Sequence, residues 1–315
     1  TKSSVVTVSI DATVKAIDRE TASVRWSRNL RTDFGARLPQ SGFASSPLVY
    51  KNHVILPTLG HPQSAETERY AGASDKPDSD RISKQSSIPG AVALELSTGR
   101  TIWRSKTFRS SHASPTIVEI DGQETLVFHG LFELVGLDPS TGSVLWRHLL
   151  RELAADNVTC TPIWDASSNR MLISHGYCEK GTQAIEIKRT GDRWLTRTAW
   201  TNSRLRAVHT NIIRVGSTLL GVNSVGAELA VGINVRDGRT LFRERSTAAN
   251  FICDDGIVMG LTHSGLIFVA NVNEHGLEEL WSQKILEPGC WTVPSFAGSR
   301  VLIRNGSEVR SLRFI

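Results

Sequence analysis

The chain has 315 residues, 40% hydrophobic, 21% charged and 7% aromatic, which excludes a disordered or collagen-like polymer. Its longest apolar runs, such as Ile257 to Thr262, span five to seven residues, so no transmembrane segment is expected where ~20 apolar residues would be needed. Lys and Arg total 36 against 31 Asp and Glu, and this net +5 is spread without a run of five like charges, so no nucleic-acid partner is expected.

In chain order, one phrase recurs: a small or apolar pair, an acidic or amide residue, a turn ending in Thr-Gly or similar, then an aromatic residue. It runs from Ala16-Ile17-Asp18 to Trp26, from Ala93-Leu94-Glu95 to Trp103, and from Gly136-Leu137-Asp138 to Trp146. Looser copies run from Ala184 to Trp200, from Gly232 to Phe242 and from Ala270 to Trp281. A second phrase alternates with it, a Ser-Pro-like dipeptide opening a hairpin. Its copies begin at Ser46-Pro47, Ser114-Pro115, Thr161-Pro162, Thr210-Asn211, Asn250-Phe251 and Val293-Pro294. Alternation across Val144-Leu145-Trp146-Arg147 fits a strand, and no twelve-residue segment carries a 3.6-residue stripe.

Successive aromatics of the first phrase lie 77, 43, 54, 42 and 39 residues apart. A unit of ~40–50 residues with four short strands is a propeller blade. The expected fold is therefore all-β, one single-domain β-propeller over residues 1–315 with seven four-stranded blades, six or eight being the alternatives. Residues 1–26 and 290–315 are assigned to one shared, ring-closing blade. Residues 61–88 are polar and break the pattern, which marks them as a surface loop insertion. In each tag the Asp or Asn is expected to bond backbone amides two residues on, the Gly to supply positive φ, and the Trp to fill the wedge between blades.

With both phrases in place, the chain resembles the PQQ-like (pyrroloquinoline-quinone-type) β-propeller repeat family. The resemblance rests on Ala-Leu-Glu-Leu-Ser-Thr-Gly-Arg-Thr-Ile-Trp at 93–103, Gly-Leu-Asp-Pro-Ser-Thr-Gly-Ser-Val-Leu-Trp at 136–146 and Ser-Pro-Thr-Ile-Val-Glu-Ile-Asp-Gly at 114–122. It is nearest to the non-catalytic branch, of which the outer-membrane assembly lipoprotein is the best-known member. It implies an extracytoplasmic, periplasmic scaffold that binds a protein, peptide or glycan, with a cytoplasmic module as the alternative. The quinoprotein enzymes of the superfamily use adjacent cysteines and a carboxylate–amide calcium cage. The sequence has no Cys-Cys pair and no such cluster, so neither PQQ nor calcium is expected.

In a propeller, the loops before the first strand and between the second and third strands of each blade share the funnel face. The residues projected there are His112, His209, Trp291, His129, His175 and His263, with Arg37 and Arg206 in flanking loops. One reading is a polar funnel that holds an anionic ligand; the other is that each His closes a tight turn. No metal site is expected, because ligands on separate blades sit too far apart for ~2 Å coordination. The enzymatic alternative is a polysaccharide lyase using His112, His209, Tyr177 and Arg206, with a quinoprotein-type oxidoreductase behind it. Cys160 and Cys178 flank one hairpin at nearly opposite positions and are the candidate disulfide, while Cys253 and Cys290 are expected as buried thiols.

Overall fold

A computed structural model describes residues 1, 3–36, 38, 42–59, 88–106, 108–150, 158–223, 228–245 and 249–313. The predicted insertion at 61–88 therefore lies, up to residue 87, outside the described residues. Among those described, the only helix is α1 (Leu30–Phe34), started by Asn29, whose side chain accepts from the amides of Arg31 and Thr32, and ended by Gly35 at φ 73°.

Among the described residues, the strands form seven antiparallel sheets, each a simple meander in chain order. The first sheet holds β1 (Ser4–Val8), β2 (Thr13–Asp18) and β3 (Val24–Asn29); the second holds β4 (Leu48–Tyr50), β5 (His53–Pro57), β6 (Ala91–Glu95) and β7 (Thr101–Arg104). The third holds β8 (Thr116–Ile120), β9 (Gln123–His129), β10 (Glu133–Leu137) and β11 (Val144–Leu149). The fourth holds β12 (Ile163–Asp165), β13 (Arg170–Ser174), β14 (Thr182–Thr190) and β15 (Arg193–Asn202). The fifth holds β16 (Ile212–Val215), β17 (Thr218–Asn223), β18 (Leu229–Asn234) and β19 (Thr240–Arg245). The sixth holds β20 (Ala249–Asp254), β21 (Ile257–Thr262), β22 (Leu266–Asn273) and β23 (Gly276–Lys284). The seventh holds β24 (Ser295–Ala297), β25 (Arg300–Arg304) and β26 (Val309–Arg313). The chain divides into two compact units, Thr1–Pro162 with Ile187–Arg197, and Ile163–Glu186 with Thr198–Ile315.

The middle strands carry apolar residues on both faces because both faces are covered. In β5 the residues from Val54 to Pro57 are all buried, and β10 is buried throughout. The fourth strands alternate instead, burying one aromatic and exposing its neighbours, as in the Thr-Leu-Phe-Arg-Glu-Arg of β19. In the first unit, the core between the first two sheets joins Val14, Ala16 and Trp26 to Val54, Leu56, Val92 and Leu94. A second core joins Ile55, Ala93 and Trp103 to Leu126, Phe128, Val135 and Leu137. In the second unit, Leu220, Val222 and Phe242 pack with Phe251, Val258 and Phe268.

The recurring tag now has a complete physical account. Its acidic or amide residue closes the turn: Asp18 Oδ1 accepts from the amides of Glu20 and Thr21, Asp138 Oδ1 from those of Ser140 and Thr141. Its small residue sits directly opposite the aromatic: Ala16 faces Trp26, Ala93 faces Trp103, Gly136 faces Trp146, and Gly232 faces Phe242. A Cβ on Gly136 or Gly232 would come within 2.2 Å of the facing ring. A bulge follows at once in all four pairs.

The indole then reaches the next sheet's tag. Trp26 Nε1 donates to the Leu96 carbonyl at 2.9 Å, Trp103 to Pro139 at 3.1 Å and Trp200 to Val235 at 3.0 Å. The ring lies against the glycine of that turn, Gly99, Gly142 and Gly238 respectively, with φ of 73°, 72° and 77°.

Among the described residues, the N-terminal strands form a three-stranded sheet and the C-terminal strands another. The cysteines differ from expectation. Cys160 and Cys178 form no disulfide, and burial pushes the Cys160 thiol up to about 12, leaving almost no thiolate for exchange. Cys290 is buried as expected, but Cys253 is exposed, because it lies near the turn end of β20, beyond the core that covers Phe251.

Gly142 needs both its φ of 72° and its missing Cβ, which would stand 2.5 Å from the Trp103 ring. The substitution Gly142→Ala is expected to cost about 2–4 kcal/mol in denaturant unfolding. Gly191→Ala, at φ 61° with nothing within 4 Å, should cost about 1 kcal/mol. Equal losses would show that backbone strain alone, and not the indole contact, makes glycine necessary.

Candidate functional site

The structure sorts the predicted site residues into two groups, and Arg37 lies outside the described residues. In the first unit, His112 and His129 are 6% and 1% exposed. Ser45 Oγ donates to the His112 carbonyl at 3.0 Å, Ser111 Oγ donates to the His129 carbonyl, and the His129 Nδ1 faces the Cys160 carbonyl at 3.3 Å. In the second unit, His175 is 3% exposed, and its Nδ1 accepts the Tyr177 amide at 3.2 Å, bracing the turn that returns to Gly181. All three residues are buried.

His209, His263 and Trp291 are brought together in the second unit. Trp291 is 58% exposed, its ring centroid 3.9 Å from that of His263 at 40° and 6.0 Å from that of His209 in an edge arrangement. The loop leading from β23 to β24 fixes this placement. The amides of Ile285 and Leu286 donate to the Gly265 carbonyl at 3.0 and 3.2 Å, and those of Gly289 and Cys290 to the His263 carbonyl at 2.9 and 3.3 Å. Gly265 has φ 90°, and a Cβ there would lie 2.0 Å from the Leu286 oxygen, so only glycine lets the loop seat.

A second tether was not read from the sequence. Asn250, 3% exposed, donates from Nδ2 to the Trp291 carbonyl at 3.3 Å while its Oδ1 accepts the Asn211 amide at 3.0 Å. Asn211 in turn makes a reciprocal pair with the Phe251 backbone, accepting at 2.8 Å and donating at 2.7 Å. The signal lay in both asparagines opening hairpins at equivalent repeat positions.

Arg206 of the same unit is spent on its surroundings. Its amide donates to Asn223 Oδ1 at 3.1 Å and its Nη2 to the Glu179 carbonyl at 3.1 Å. Tyr177 is 45% exposed. Among the described residues, no three His, Cys, Asp or Glu side chains gather as metal ligands would. The arrangement can therefore present one large, oriented aromatic face with two imidazoles at its margin. Desolvation lowers the His263 pKa, and His209 lowers it further against an opposing pull from Glu228. Among the described residues, His263 Nε2 is buried with no hydrogen-bond partner.

Seven meandering antiparallel sheets, with a bulged fourth-strand hairpin repeated down the chain, define a β-propeller of seven blades. The model of the family described as outer membrane protein assembly factor BamB matches residues 1–244, and the chain belongs to that family. Among solved structures it is similar to BamB from Moraxella catarrhalis, at 15% identity and TM-score 0.64, over 99% of this chain and 82% of that one. It is also similar to the computationally designed Ika8 protein, at 12% identity and TM-score 0.53, over 100% of this chain and 94% of that one. Both likenesses concern the fold. Among curated protein sequences none matches. Among the described residues, no helix is long and apolar enough to cross a membrane.

The lowered pKa of His263 has a definite sign in stability. The unfolded chain takes up that proton near pH 6.5 and the folded chain only at lower pH, so stability is full above about pH 6.5 and declines as pH falls below it. Thermal unfolding from pH 8 to 5 should show this decline, and His263→Asn should flatten part of it. An unchanged profile in the variant would place the acid sensitivity elsewhere.

Proposed function

We propose that this chain is a non-catalytic scaffold for the assembly of outer membrane proteins, acting outside the cytoplasm and docking a protein partner on Trp291. The observation that carries the reading is the exposed indole, held in a fixed orientation by His263, His209 and the Asn250 tether. Large aromatic side chains that are both exposed and pre-ordered are the usual centres of binding energy in protein interfaces, since little entropy is lost when they are covered. Membership of the BamB family supports the assembly role, as does the burial of His112, His129 and His175, which leaves Trp291 as the exposed group. The reading requires neither PQQ nor calcium. A peptide or glycan ligand is the finer alternative, because sugars also stack on an open indole face.

A photoreactive phenylalanine analogue at position 291 tests this in cell envelopes of the source organism. Crosslinks to β-barrel membrane proteins or to their assembly components are expected. Trp291→Ala should weaken binding of a captured partner by about 2 kcal/mol, roughly thirtyfold in Kd. Crosslinking to polysaccharide alone, or to no macromolecule, would overturn the reading.

A further inference from the structure

The aromatic cluster of the second unit sits in a charge pattern that bears on what can dock there. His263 lies over one side of the Trp291 indole, with 3.9 Å between ring centroids, and His209 stands at 89° to it, 6.0 Å away. With both in place Trp291 still exposes 58% of its surface. The face of an indole is the negative pole of its quadrupole, so bare indole area attracts a cation and repels an anion. Among the described residues, the cationic side chains that lie over rings meet Phe34, Tyr50, Phe132 and Trp194, and not Trp291.

The charged groups around the cluster favour a cation as well. Glu228 is exposed, and its carboxylate is close enough to act on His263 through space. Glu287 is exposed on the loop that delivers Trp291. Desolvation and His209 hold the His263 pKa down, so at neutral pH that imidazole brings no positive charge to the cluster. Two further groups act on Cys290, the residue before Trp291: Glu308, which Arg310 holds at 2.9 Å, and the exposed Lys284. Glu228 and Glu287 together outweigh Lys284. In a chain of net charge +5 the sign is therefore reversed locally.

We propose that the open side of Trp291 receives an arginine side chain of the protein partner, stacked on the indole with its fork turned to Glu228. This rests on the docking reading and names the residue that docks. A guanidinium is flat, weakly hydrated and permanently charged, so it covers an indole at low desolvation cost while its N–H groups donate to a carboxylate alongside. The ammonium of lysine is a compact, strongly hydrated point charge and suits a ring-and-carboxylate pair less well. A neutral sugar would stack on the ring but gain nothing from the surplus negative charge. An acidic segment would be opposed by the indole face and by Glu228 alike.

The test follows the fluorine resonance of Trp291 in the full chain labelled with fluorotryptophan, assigned by its loss in Trp291→Phe. Capped Gly-Arg-Gly is titrated in at low salt, beside the same peptide with citrulline, Lys or Glu in place of Arg. Citrulline keeps the shape of arginine without its charge. The Arg peptide should move this resonance with a Kd on the order of 1 mM. The citrulline peptide should bind about fivefold more weakly. Glu228→Gln should weaken the Arg peptide about threefold and leave the citrulline peptide unchanged, a selectivity that misfolding cannot imitate. No response to the Arg peptide would overturn the proposal, as would equal binding of the Arg and citrulline peptides or tighter binding of the Glu peptide. Protein crosslinks through position 291 with no response to the Arg peptide would keep the docking reading and discard the arginine. A response to the Arg peptide with no protein crosslink would keep the arginine site and discard the assembly partner.

Discussion

The structure depends on one repeated contact, the indole of a sheet's last strand donating its N–H to a carbonyl in the next sheet's tag turn. A buried Trp must satisfy that N–H, and the turn supplies a carbonyl that its own strand pairing leaves available. The contact forms only if three other residues are correct. A small residue must face the ring across the strand pair, as Ala16 and Ala93 do; a carboxylate or amide must shape the turn; and a glycine must let the ring lie flat on it. Selection of Asp, Gly and Trp at fixed spacing is thus one requirement expressed at three positions, and their repetition is what makes the chain readable.

Where the contact is altered, the cause is local. The strands β14 and β15 of the fourth sheet run to nine and ten residues, carrying their turn at Thr190-Gly191 well past the usual tag length. Trp146 then meets Trp194 at 6.5 Å between centroids, and its Nε1 is left buried without a hydrogen-bond partner. In the sixth sheet the register shifts between Val269 and Ala270, one place earlier in the phrase, so Val269 and not the small Ala270 faces Trp281. A branched side chain occupies the space beneath the ring, and Trp281 is 39% exposed where Trp26, Trp103, Trp146 and Trp200 are all below 9%. The looser copies in the sequence are therefore looser in packing.

The fold was legible because it follows from short-range rules: alternation, turn chemistry and a period near 40 residues. Strand starts near Thr116, Val144 and Ile257 could be placed from the residues themselves. The candidate site was legible by position and not by role. The sequence projects five histidines onto one face, from two kinds of loop, but whether a ring is buried depends on the adjoining loop, whose course no motif encodes.

His175 and His263 show how one motif yields two outcomes. Each follows the second strand of its sheet and precedes a glycine-containing turn. After His175 the chain turns back on itself, the Tyr177 amide donating to the ring and Gly181 receiving the return, so the imidazole is consumed in its own loop. After His263 the turn is shorter, and its carbonyls are taken by a different segment, residues 285–290. That segment spends its amides on the His263 and Gly265 backbone, leaving the imidazole ring free to stack and delivering Trp291 onto it. The chemistry of the site is therefore set by which backbone satisfies the turn's carbonyls, and the exposed indole is a consequence of closing that hydrogen-bond account from outside the turn.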